Sequence, residues 1–147
     1  MEEKLSNELE QQLRENDILA EWLGEARFTA RILSDIDDAL SVLAAKRTTL
    51  EEKIITQELH SLAAKFCLIL NSVHWRLREN NSPREDVLEK LRTLNFQVHE
   101  TVETLLKALR YNLNYVEQYF EHNFAARLTN ELKYTAEAEA LVDMLKD

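Results

Sequence analysis

One glycine and one proline, Gly24 and Pro83, interrupt a chain of 147 residues. A phosphate-cradling loop or a dinucleotide fingerprint needs several glycines where backbone turns sharply or approaches a phosphate, and a sandwich or barrel needs a succession of tight turns. Helix is what remains. Composition agrees: 45% hydrophobic residues beside 31% charged ones supply a core for one domain over residues 1–147. A single cysteine allows neither an internal disulfide nor a cysteine-based zinc finger, so the expected compartment is the cytoplasm or another reducing intracellular space. The opening Met1-Glu2-Glu3-Lys4 lacks the apolar stretch of a secretory signal. The longest run free of Lys, Arg, Asp and Glu, Phe66 to Trp75, is too short to span a bilayer, so no membrane partner is expected.

Charge is unevenly placed. Residues 1–21 carry a net −5 and residues 117–147 a net −4, while the segment between them is balanced at 13 acids and 13 bases. Nucleic-acid binding needs a basic surface that neutralises phosphates, and no cluster denser than Arg76, Arg78 and Arg84 occurs. Direct nucleic-acid contact is therefore not expected. Acidic ends suit solvated helix faces first and a surface for a basic partner second.

Periodicity divides the chain. Glu2 to Lys46 reads as helix, with Leu23, Ala26, Ala30, Leu33, Ile36, Leu40 and Leu43 recurring every three or four residues; Asn16-Asp17 and Ser34 to Asp37 are candidate internal breaks. Thr48 or Thr49, each with an acid three residues on, can open a second helix running to Glu79. Its stripe is Ile55, Leu59, Leu62, Phe66, Ile69, Val73 and Leu77, and Phe66 to Leu70 is apolar on nearly every side, which predicts burial there and a core centred there. Ser82-Pro83-Arg84-Glu85 predicts a third helix with Pro83 as its first residue and Ser82 as its cap. Its apolar face, Val87 through Phe120, repeats with an 11-residue period, which suits a nearly straight helix of roughly 55 Å. After a break at His122-Asn123 or Thr129-Asn130, Phe124, Leu128, Leu132, Ala136, Leu141 and Met144 mark a weaker final helix. Short connections at 47–48 and 80–82 favour antiparallel neighbours. The expected architecture is all-α: an elongated antiparallel bundle of three long helices plus a shorter C-terminal helix, which either fills a fourth corner or projects.

Chemistry-bearing motifs are sparse. His60, Cys67 and His74 are seven residues apart in turn; seven residues rise about 10.5 Å along a helix, too far for two of them to share a zinc ion. A stripe at the boundary between core and surface is the better reading, with Cys67 a small buried hydrophobe. His99 and Glu103 have the i, i+4 spacing of a ligand pair or an oriented histidine, yet no Glu-x-x-His of a di-iron bundle occurs. Asp35, Asp37 and Asp38 diverge around a helix and lack a calcium-loop glycine. No metal, cofactor or catalytic residue is assigned, and the chain is not expected to be an enzyme. Tyr111, Tyr115 and Tyr119 recur every four residues beside the third helix's seam, and Trp75 lies near the end of the second. Amphipathic rings there suit a partner interface and are taken as its candidates, although such rings more commonly widen a core edge.

The expected function is a non-enzymatic helical interaction or adaptor protein, a homo-oligomer or a subunit of a larger helical assembly, whose partner is itself or another helical protein. The alternative is an acidic inhibitor or immunity-type protein that blocks a basic nucleic-acid enzyme. A helical enzyme or ligand carrier using His60 or His99 ranks third.

Overall fold

A computed structural model describes residues 2–45, 50–79, 81, 83–111 and 124–146. Five helices account for nearly all of them: α1 (Glu2–Ala44), α2 (Leu50–Arg78), α3 (Glu85–Tyr111), α4 (Phe124–Glu131) and α5 (Thr135–Lys146). Helix α1, with 43 residues, is about 64 Å long at about 1.5 Å per residue. It passes through both candidate breaks, because the buried phase is kept from Trp22 to Leu43 and the polar side chains at those places face solvent or its edge. Among its described side chains none from Asn7 to Asp17 is buried, so α1 outruns its neighbours.

Contacts close a ring: α1 on α2, α2 on α4 and α5, these on α3, and α3 on α1. The C-terminal helices therefore fill the fourth corner. Asp37 and Ser41 border the same groove as His60 and Thr56, which makes α1 and α2 antiparallel. Lys65 meets Glu139 and Arg76 meets the carbonyl of Leu145, so α5 runs parallel to α2. Helices α2 and α3, expected as neighbours, share almost no direct contact and stand at opposite corners. The six residues 79–84 span up to about 20 Å, whereas the diagonal of a bundle with helices about 10 Å apart is about 14 Å.

One apolar cluster runs through all four corners, with Trp22 and Phe66 its largest fully buried side chains. The α2 stripe is buried from Ile55 to Val73, with Leu77 at the edge. On α1 Ala26, Ile36 and Leu43 are buried as expected and Leu33 and Leu40 are half-buried, but Leu23 and Ala30 are exposed, and the face widens toward Trp22, Thr29, Ile32 and Ala39, which are buried. Thr29 belongs in the core because its hydroxyl has acceptors at the Glu25 carbonyl (2.9 Å) and Asn95 Oδ1 (3.1 Å). The α3 stripe from Val87 to Leu109 is buried, and Leu88, Asn95, Thr101, Leu106 and Ala108 bury a second row because α3 touches two neighbours. The later positions of this stripe, Leu113, Val116 and Phe120, lie outside the described residues.

Two boundaries differ from expectation. Helix α3 starts at Glu85, two residues late: Pro83 is buried outside it, and the Arg84 carbonyl accepts the first helical bond from Leu88 N at 3.0 Å. Ser82 lies outside the described residues. The tail breaks at Leu132 to Tyr134, beyond Thr129-Asn130, which is helical. Leu128 and Leu132 are buried, then Ala138, Leu141, Val142 and Leu145. In one straight helix Leu141 would point opposite Leu132, nine residues at about 100° each being two and a half turns. The turn resets the phase, burying Ala138 and exposing Ala136.

Candidate protein-binding face

Among the described residues, helix α2 has substantial contact on two sides, with α1 and with the α4–α5 pair. Its remaining arc faces solvent. The middle of α2 is therefore not buried all round: Leu68 is 48% exposed and Cys67 is exposed, a correction to the burial expected for both. Trp75 is 60% exposed, which removes the core-edge alternative.

The exposed residues of this arc form a seam, Ile54, Gln57, Ser61, Ala64, Leu68, Asn71 and Trp75, with steps alternating three and four. That is the spacing of a and d positions along a helix that receives another helix. His60, Cys67 and His74, expected at the boundary with the core, are fully on the surface and make a row along one flank. Between Ile54 and Trp75 no exposed α2 residue is Asp, Glu, Lys or Arg. The outer face of α3 differs: Phe96 is 59% exposed, but exposed Arg92 and Glu100 stand one turn on either side of it, and Glu103 and Lys107 follow further along the helix. A face free of formal charge loses little when it is desolvated, and charge depletion marks the centres of protein interfaces. At one end Trp75 borders a groove of about 570 Å³ formed with Asn71, Ser72, Arg76 and Leu145. The opposite flank is fixed from behind by the Lys65–Glu139 pair (3.7 Å) and by Arg76 Nε donating to the Leu145 carbonyl.

The other sequence candidates are placed as follows. His99 Nε2 lies 3.4 Å from Glu103 Oε2, and the imidazole tilts against Phe28 with centroids 5.2 Å apart. Its Nδ1 is buried without a hydrogen-bond partner among the described residues. Also among the described residues, no group of three or more His, Cys, Asp or Glu is placed to hold a metal ion, and no helix is long and apolar enough to cross a membrane. The side chain of Tyr111 and the whole of Tyr115 and Tyr119 lie outside the described residues.

Sequence reading missed two features. Asn95, fully buried, donates from Nδ2 to Glu25 Oε2 at 3.0 Å, and Glu25 Oε1 in turn lies 3.4 Å from Arg92 Nε, a polar clasp between α1 and α3. An asparagine immediately after Leu94 in the apolar phase was its only signal. The α2 seam was announced by the charge-free run Phe66 to Trp75, which bears on a helix's outer face as much as on membranes. No protein-family model, curated protein or solved structure matches the chain.

Proposed function

We propose that this protein is a non-enzymatic helical interaction protein, acting as a homo-oligomer or as a subunit of a larger helical assembly. The observation that carries the reading is the outer face of α2, which presents Leu68 and Trp75 to solvent along a heptad-spaced seam without formal charge. In a chain that is 31% charged, such a face is costly to leave in water and inexpensive to cover. The test compares the native chain with Leu68→Asp and Trp75→Asp by light scattering and by affinity capture from the native host. Association that both substitutions abolish, with helicity retained, supports the reading. A native chain that is monomeric and captures nothing more than the variants do overturns it.

The exposed acidic start of α1, with Glu8, Glu10 and Asp17 all at the surface, favours a second reading, the inhibitor of a basic nucleic-acid enzyme. Binding of such an enzyme that weakens steeply with salt and survives Leu68→Asp is its signature.

A further inference from the structure

Resting on the reading of α2 as a binding face, the geometry points to a second copy of this chain as its occupant, docked antiparallel so that Leu68 of each copy packs on Ala64 of the other. Charge narrows the choice first. Two chains of net charge −9 repel, so they meet at least cost where the fewest carboxylates are presented, and the outer arc of α2 is such a place, with Glu58 and Lys65 half-buried at its edge. A strongly basic partner finds nothing to pair with on that arc.

The seam is also complementary to itself in one register. In an antiparallel pair, a positions face d positions. With the two-fold axis between Ala64 and Leu68, the branched side chain of Leu68 fills the space above Ala64. Ser61 then meets Asn71, a hydrogen-bonding pair, and Trp75 covers the aliphatic stem of Gln57. Arg78, one step beyond the charge-free seam, falls beside Ile54 of the other copy. The next antiparallel register opposes Ser61 to Ala64 and leaves a gap at the centre. A parallel pair stacks Arg78 on Arg78 and aligns the two helix dipoles, both unfavourable. The row His60, Cys67 and His74 reads the same in both directions, so the chosen register lays Cys67 beside Cys67 and His60 beside His74.

The size suffices. From Ile54 to Arg78, the charge-free seam and one step beyond it, the contact is about 36 Å long and a helix is about 10 Å wide. With the flanking rows, the area buried on both copies is roughly 1,000 Å², the lower bound for a specific interface. Pairing in the micromolar range is the corresponding expectation.

The experiment uses the full chain. Light scattering from low to high micromolar concentration is expected to show a monomer passing to a dimer. Leu68→Lys, and separately Ser61→Arg, are expected to weaken pairing by roughly 100-fold or more while circular dichroism and melting temperature hold, because both sites are exposed in the monomer. Orientation is read with a short bismaleimide. Cys67 is the only cysteine, so the native protein is expected to cross-link to itself. In a Cys67→Ser background, His60→Cys alone and His74→Cys alone are expected not to cross-link, whereas their mixture is. Cross-linking of His60→Cys to itself overturns the antiparallel register. A monomer at every concentration overturns self-pairing; if a different protein is then captured and lost with Leu68→Lys, the binding face stands and only its occupant changes.

Discussion

Gly24 sits in the interior of α1, exposed, and a Cβ added there meets nothing within 4 Å. The residue gives the helix no tight approach and no turn; it contributes backbone entropy to the unfolded chain. Gly24→Ala is expected to stabilise the fold by about 0.5 to 1 kcal/mol, raising the melting temperature by roughly 1 to 4 °C. Asn95 is the opposite kind of residue. It is completely buried and holds Thr29 and Glu25 across the α1–α3 contact. Asn95→Ala is expected to cost about 1 to 3 kcal/mol in a urea melt, since partners are left desolvated and a cavity opens. Asn95→Leu is expected to cost less. It fills the space, Thr29 keeps its bond to the Glu25 carbonyl, and Glu25 keeps Arg92. Equal losses from the two substitutions would place the energy in the amide's hydrogen bonds, which both remove, and not in packing. The ion pairs around Arg92 are solvent-exposed and add little by comparison.

At the level of the helices, legibility followed the strength of the phase. Helix α2 repeats its apolar positions so regularly that Ile55 through Val73 are all buried as read. On α1 the face was read from aliphatic side chains alone, and the structure widens it toward Trp22 and Thr29 because a satisfied hydroxyl and a large ring pack as well as an aliphatic group. The tail misled for another reason. Alternating Ala and Glu from Thr135 to Ala140 leaves the phase nearly undefined, and only the turn at Leu132 to Tyr134 decides which alanine faces inward. Ala138 is fully buried and Ala136 exposed. Ala138→Leu is accordingly expected to overpack the core and cost about 1 to 3 kcal/mol, whereas Ala136→Leu stays within about 0.5 kcal/mol. Thermal melts of the two variants check the phase directly, and a reversed order would mean that α4 and α5 continue as one helix. The exposed seam of α2 was half legible. Trp75 was singled out, but the seam around it was not, because an outer face is defined by which neighbours a helix lacks, and the diagonal placement of α2 and α3 has no signature in either helix alone.

For the molecule as a whole, net charge and the α2 seam pull in opposite directions. A net charge of −9 on each copy opposes close approach over a distance set by salt, about 10 Å at 0.1 M. Contact through an uncharged arc gives nothing back when salt screens attractive pairs. Raising sodium chloride from about 50 to 500 mM is therefore expected to tighten self-association, measured as the dissociation constant by sedimentation equilibrium. Loosening with salt would show that charges make the contact.

The ring of contacts also fixes an order of events. Helices α2 and α3 do not hold each other; α1 bridges them on one side and α4 with α5 on the other. As the chain leaves the ribosome, α3 is finished while the side of Leu94 that receives Leu141, and the flank of α2 that receives Glu139 and Leu145, still have no cover. At roughly 5 to 20 residues per second, the 35 residues from Tyr111 to Lys146 take roughly 2 to 7 s to arrive. For that interval the nascent bundle is an open trough lined with its own future interior, and chaperones or a neighbouring nascent chain compete with the missing wall.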